Sequence, residues 1–278
     1  MIRAGCDIHI YVEIRKSIME KRKLYGGINR DWRGDEEEME LVGYKWEKVG
    51  KVFKNLYHNP ERLKKWEEGR SGREGHREED DDEDEWASIW EEFTECPYRD
   101  RNYDLFAILA DVRNGSGFAG DDTGDGFVPI CETRGLPDDV DEEIGKISDK
   151  WGGDGHSHSW VTLKELYEYD WDRTTKHRGY VGPGQYRLFK EEGRPASYCT
   201  DTSGKKITIA EMDRYISENN IKIPDKKDRF GFGSPSTRVE WEMTYRESVS
   251  DFIDNTMVEL AELDDNPENI RIVFWFDN

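Results

Sequence analysis

The chain has 278 residues, long enough to bury one core, yet it is 35% hydrophobic against 37% charged, so the core must lean on its 10 Trp, 13 Tyr and 11 Phe. A net charge of −21 argues against a surface for duplex nucleic acid, whose affinity comes from Lys and Arg, and favours solubility. Cys6, Cys96, Cys131 and Cys199 form no C-x-x-C pair, which fits a reducing compartment better than a zinc ribbon or a disulfide framework. The longest wholly apolar stretch, Leu105 to Ala110, is too short to span a bilayer, so a cytoplasmic protein with no membrane partner is expected.

Gly5 to Arg15 alternates, with Ile8, Ile10, Val12 and Ile14 on one face and Asp7, His9, Tyr11 and Glu13 on the other, the pattern of a half-buried strand. Met19 to Glu40 is polar and reads as loop, and Leu41 to Phe53 as a weaker strand or hairpin. A short helix from Asn59 to Gly69 precedes an acidic run within residues 69–85, read as a solvated, disordered insertion in a single domain spanning 1–278, with metal chelation as the alternative. Asn102 to Val112 carries a helical stripe. It opens into a glycine-rich loop from Arg113 to Gly126, suited to a close approach to a ligand.

Asp138 to Trp151 reads as a polar helix. Capping boxes at Thr162/Glu165 and Thr208/Glu211 start helices to Asp170 and to about Asn219. Arg238 to Arg246 alternates as a strand, Ser248 to Leu263 has helical spacing, and Ile270 to Phe276 is a final strand. The expectation is an α+β fold with a mainly antiparallel sheet that includes both terminal strands, packed with helices.

Two constellations carry chemistry. Asp7 and His9, two apart on a strand, offer a carboxylate and an imidazole to one divalent ion, or form an Asp–His hydrogen bond on a solvent-facing sheet. Asp154, His156 and His158 fall in an extended segment where the two imidazoles share a side. That spacing suits a metal, suits metal-free acid–base work on a phosphodiester, and equally suits a polar loop capping the Thr162 helix. If Asp7, His9, Asp154, His156 and His158 meet in one cleft, they form a site for Zn, Mn or Mg with His9, His156 and His158 as catalytic groups. Arg113 and Asn114, with Arg134 in a second turn, suit a phosphate or carboxylate, or Arg113 pairs with Asp111 or Asp121 as a structural turn. Trp160, Phe118 and Tyr103 offer stacking faces for a base, or belong to the core. No P-loop, nucleophile elbow or H-E-x-x-H is present.

Gly5-Cys6-Asp7-Ile8-His9, Arg101 to Ala107, Ala110 to Asn114, Arg134 to Pro137, Asp154 to Trp160 and Arg271 to Asn278 together resemble an uncharacterised family frequent in tailed-phage genomes and some bacteria. The resemblance covers most of the chain outside residues 15–100 and 190–235. One departure is that the family motif usually follows the initiator Met directly, whereas Ile2, Arg3 and Ala4 intervene. The resemblance implies a phage-encoded accessory protein of the bacterial cytoplasm and no particular activity. Three readings follow: a metal- or histidine-dependent hydrolase of a small cyclic nucleotide or other phosphodiester; a binding protein that sequesters a nucleotide-like host signal; and an acidic inhibitor or DNA mimic.

Overall fold

The computed structural model describes residues 6–23, 37–51, 53, 95–117, 120–223 and 234–277. The expected helix at 59–69, the acidic run at 69–85 and Phe118 lie outside the described residues.

The fold is α+β, and both terminal strands lie in one antiparallel sheet, as the sequence predicts. Strand β1 (Ile8–Lys23) pairs along Ile8–Ile14 with β6 (Ile270–Phe276), and along Glu13–Lys23 with β2 (Glu37–Lys48). Strand β3 (His156–Thr162) covers the other edge of β6, giving the order β2-β1-β6-β3. The loop expected from Met19 to Glu40 is corrected at both ends. Its first and last residues continue β1 and β2 as a ribbon that leaves the sheet, and a ribbon with solvent on both faces carries no hydrophobic alternation to read. Phe53 is buried but lies beyond β2, not in it.

Strand β6 is buried at every residue. On one face Ile272, Phe274 and Phe276 join Ile8, Ile10 and Val12 against helix α1 (Tyr103–Ala110), whose Leu105 to Ala110 are all buried. At about 1.5–3 kcal/mol per large apolar side chain, this layer is the main stabilising contribution. Asn102 caps α1, accepting hydrogen bonds from the amides of Asp104 (3.0 Å) and Leu105 (3.3 Å). On the opposite face Tyr11, Val273 and Trp275 pack against Ile144 and Ile147 of helix α2 (Glu142–Trp151). The half-buried reading of β1 is therefore corrected: α2 roofs the face that carries His9, Tyr11 and Glu13.

Helix α2 starts later than the expected Asp138 because the chain before it is committed elsewhere. The Asp141 amide donates to Glu13 (2.5 Å) while Asp139 accepts from Arg271 (2.8 Å). Helix α3 (Leu163–Glu168) follows its capping box. A second, two-stranded sheet pairs β4 (Thr174–Val181) with β5 (Thr237–Thr244) and is packed by α4 (Pro183–Glu192) and α5 (Ile209–Glu218). The stretch expected as one helix from Ser248 is divided. Helix α6 (Tyr245–Ser248) starts from a Thr244/Glu247 capping box and stops at Ser248, a π-helical turn spans Phe252–Thr256, and α7 (Met257–Ala261) completes the stretch. Among the described residues no helix is long and apolar enough to cross a membrane.

The glycine-rich loop docks onto β4. Gly124 (φ +151°) bridges to His177, and a Cβ there would stand 2.0 Å from the Lys176 carbonyl oxygen. Its glycine serves an approach to backbone, a correction to the expected approach to a ligand.

Candidate functional site

Where β1 begins and β6 ends, Asp7 and Asp277 face each other. The Asp7 amide donates to Asp277 Oδ1 (3.0 Å) and the Asp277 amide to the Asp7 carbonyl (3.2 Å). Asp277 Oδ2 lies 3.3 Å from His9 Nε2. The His9 ring is covered by Trp151 (centroids 4.1 Å apart) and flanked by Trp275 (5.9 Å), so it is buried and not on a solvent-facing sheet. The Asp7 carboxylate instead takes a two-point contact from Arg101 (2.7 and 2.5 Å). The Cys6 thiol is buried beside Arg113, and its acidity is shaped by burial, which raises the pKa, by Arg113, which lowers it, and by Asp277 and Asp7.

A bulge decides where the other two imidazoles go. Ser157 adopts a left-handed conformation (φ 53°), and the pairing of β3 with β6 shifts between His156 and Ser159. His156 therefore lies over Phe276 (6.0 Å) and His158 over Trp275 (5.5 Å). Phe276 and Trp275 are neighbours on one strand and project to opposite faces. The expectation that His156 and His158 share a side is corrected, because the extra residue of the bulge reverses the alternation.

His158 and His9 flank the Trp275 indole in a row of near-parallel rings. His158 Nε2 is held by Ser148 Oγ (2.9 Å), and burial, with His156 nearby, lowers its pKa. His156 Nδ1 meets Ser157 Oγ (3.0 Å), while its Nε2 is buried with no hydrogen-bond partner among the described residues. Asp154 is exposed in the turn before β3. The five residues expected to share a metal thus do not converge on one point. Among the described residues no three His, Cys, Asp or Glu side chains come close enough to hold an ion.

The expected ligand-binding residues are placed as follows. Arg113 (φ 56°) lies with its guanidinium carbon 5.7 Å over the Tyr103 ring and beside Cys6. Asn114 pins the loop, exchanging hydrogen bonds with the Phe127 backbone (2.8 and 2.7 Å) and donating to Asp111 (2.6 Å). Arg134 pairs with Glu165 (2.6 Å) and stacks on Trp160 (4.8 Å), away from the sheet end. Trp160 also faces Arg271 (5.5 Å) and belongs to the packing of the sheet. Asn114, Arg134 and Trp160 therefore have structural partners.

Arg101 and Asp277 complete the sheet end, and neither was expected to act there. The antiparallel pairing of the terminal strands was the signal for Asp277, since that pairing alone puts the start of β1 beside the end of β6. Two of the described non-glycine residues with positive φ, Arg113 beside Cys6 and Ser157 beside His156, lie at this end. Backbone strain of that kind gathers at ligand sites. No protein-family model, curated protein or solved structure matches this chain.

Proposed function

We propose that the sheet end takes a small nucleotide-like phosphodiester and hydrolyses it, with His156 carrying the proton and Arg101 and Arg113 receiving the phosphate. The single observation behind this reading is the His156 Nε2, buried beside the strained Ser157 bulge without a hydrogen-bond partner among the described residues. A buried polar atom left unpaired costs about 1–3 kcal/mol, a cost that a bound ligand group recovers. His9 is engaged by Asp277 and His158 by Ser148, which leaves His156 for proton transfer. The Arg101–Asp7 pair is half exposed, and such pairs contribute only about 0–1 kcal/mol, so a phosphate displaces Asp7 at small cost. In the setting that the family resemblance implies, the ligand is a nucleotide signal in the cytoplasm of a phage-infected bacterium.

A second reading, capture without turnover, is favoured by the bulge itself. It splits His156 and His158 between faces, and a shuttle of two imidazoles needs both on one side of the phosphate. Incubation with a panel of cyclic mono- and dinucleotides, followed by denaturation and chromatography, tests both. Hydrolysis yields a linear product that His156→Asn abolishes while ligand still co-elutes with the folded variant. Intact nucleotide recovered from the wild type selects capture, and absence of any co-eluting nucleotide removes both readings.

A further inference from the structure

A second polar cluster lies beyond the sheet end, built from three separated parts of the chain. His177 on β4 is buried, with Trp241 stacked on one side of its ring (5.8 Å, 17° between planes) and Phe127 edge-on (5.9 Å). Its Nε2 lies 3.1 Å from Ser248 Oγ at the end of α6, and its Nδ1 lies 4.0 Å from Asp104 Oδ2 in the first turn of α1. Asn102, the cap of α1, donates to the Ser248 carbonyl (2.9 Å), which ties the serine's turn to the helix that carries the aspartate. The serine hydroxyl also donates to the Thr244 carbonyl (3.1 Å), a bond that it exchanges for His177 Nε2 when it gives up its proton.

We propose that Asp104, His177 and Ser248 form a nucleophilic relay that cleaves uncharged acyl esters, an activity separate from the phosphodiester reading of the sheet end. Ser248 is the nucleophile and His177 the base. Asp104 is a positioning residue that holds the ring through Nδ1 and stabilises the imidazolium that forms. The spacing is looser at Asp104 than a hydrogen bond requires, as is common before substrate tightens a site. Burial lowers the His177 pKa, which keeps its ring neutral and able to accept a proton at neutral pH. It also pushes the Asp104 carboxyl up to about 7.

The surroundings select the substrate class. Burial alone accounts for the shifts of Asp104 and His177, with no neighbouring cation contributing among the described residues. Aromatic rings of Trp241 and Phe127 enclose the imidazole, and Tyr198, which packs on Trp241 (4.8 Å), is partly exposed beside them. Rings without a guanidinium suit a neutral carbonyl ester better than a phosphate. In the first step the Ser248 Oγ–H proton passes to His177 Nε2 as Oγ bonds to the carbonyl carbon and the C=O pair moves onto oxygen. Collapse breaks the bond to the leaving alkoxide, which takes the proton from His177. Water then repeats the sequence, releases the acid and restores the serine.

The test is reaction of the full chain with a fluorophosphonate reporter, mapped by mass spectrometry, alongside p-nitrophenyl acetate turnover. An adduct on Ser248 is expected, lost in Ser248→Ala and slowed about 100-fold or more in His177→Gln, the scale of one acid–base group. Asp104→Asn should slow labelling and remove its rise with pH near 7, which a purely structural role would not do. An unlabelled Ser248, or labelling indifferent to His177→Gln, overturns the proposal. Should His177→Gln fail to fold, Ser248→Cys carries the test. Iodoacetamide should then alkylate the introduced thiol at a pH well below the ordinary thiol range, and an ordinary thiol profile overturns it.

Discussion

Two buried polar clusters in this molecule show how the same kinds of groups serve opposite ends. In the first, Glu13 on β1 and Arg271 on β6 meet at 2.5 Å with almost no exposure. Every side of the pair is occupied. The Asp141 amide completes the carboxylate, and the Asp139 carboxylate and carbonyl complete the guanidinium. The indoles of Trp46 (4.1 Å) and Trp160 (5.5 Å) lie against the Arg271 guanidinium. In the second, Asp104 and His177 stand 4.0 Å apart and His177 has one hydroxyl for company. A saturated network holds structure, whereas an under-filled one keeps protons available. Glu13–Arg271 thus serves stability, and Asp104–His177–Ser248 is the cluster left open for the proposed chemistry.

The largest expected effect falls on the saturated cluster. Arg271→Met strands the Glu13 carboxylate in a site where burial already raises its pKa, and should cost about 3–5 kcal/mol in denaturant unfolding. The double variant Glu13→Leu/Arg271→Met should recover much of that loss. If the single change costs under about 1 kcal/mol, the pair is not the anchor that its burial implies. Next comes Asn114→Ala, which leaves the Phe127 amide and carbonyl without their side-chain partner. A loss of about 1–3 kcal/mol is expected, read as a lower melting temperature.

Asp104→Asn separates the two clusters by pH. The carboxyl titrates near 3.8 when unfolded and at about 7 in the fold. Between those values the folded state binds the proton that the unfolded state has released, so stability falls as pH rises through this window and the penalty is complete above 7. The variant lacks that penalty. It should match the wild type near pH 4 and exceed it at pH 8 by about 2 kcal/mol, a figure discounted because 24% of the side chain meets solvent. An equal offset at both pH values would place the effect in packing and not in the charge.

Sequence alone revealed the elements whose burial and period coincide. The bounds of β6 are those predicted from an apolar run that Arg271 alone interrupts, and Asn102 and the two expected capping boxes start helices where they stand. It did not reveal β4, whose inward residues are Thr175, His177, Gly179 and Val181, because a small or polar inward face carries no hydrophobic alternation. The same blindness hid His177 and therefore the relay, whose members share no local spacing. At the sheet end, Asp7 and His9 were legible as neighbours on β1, but Trp151 closing over His9 and Asp277 arriving from the far terminus are tertiary facts. The two histidines of β3 misled for a simpler reason. Alternation assumes a regular strand, and one left-handed residue between them inverts it.

That residue offers the smallest effect and the sharpest question about the sheet end. A serine held at φ 53° stores about 1 kcal/mol that glycine does not. Ser157→Gly should therefore raise stability slightly or leave it level, despite losing the hydroxyl that touches His156 Nδ1. If strain is tolerated there because the bulge aims His156 at a ligand, the variant should stay folded, keep its pairing with β6 and lose nucleotide turnover or affinity through a freer ring. If binding and turnover are unchanged while stability rises, the bulge only joins β3 to the turn before it, and the sheet end joins Glu13–Arg271 among the structural clusters.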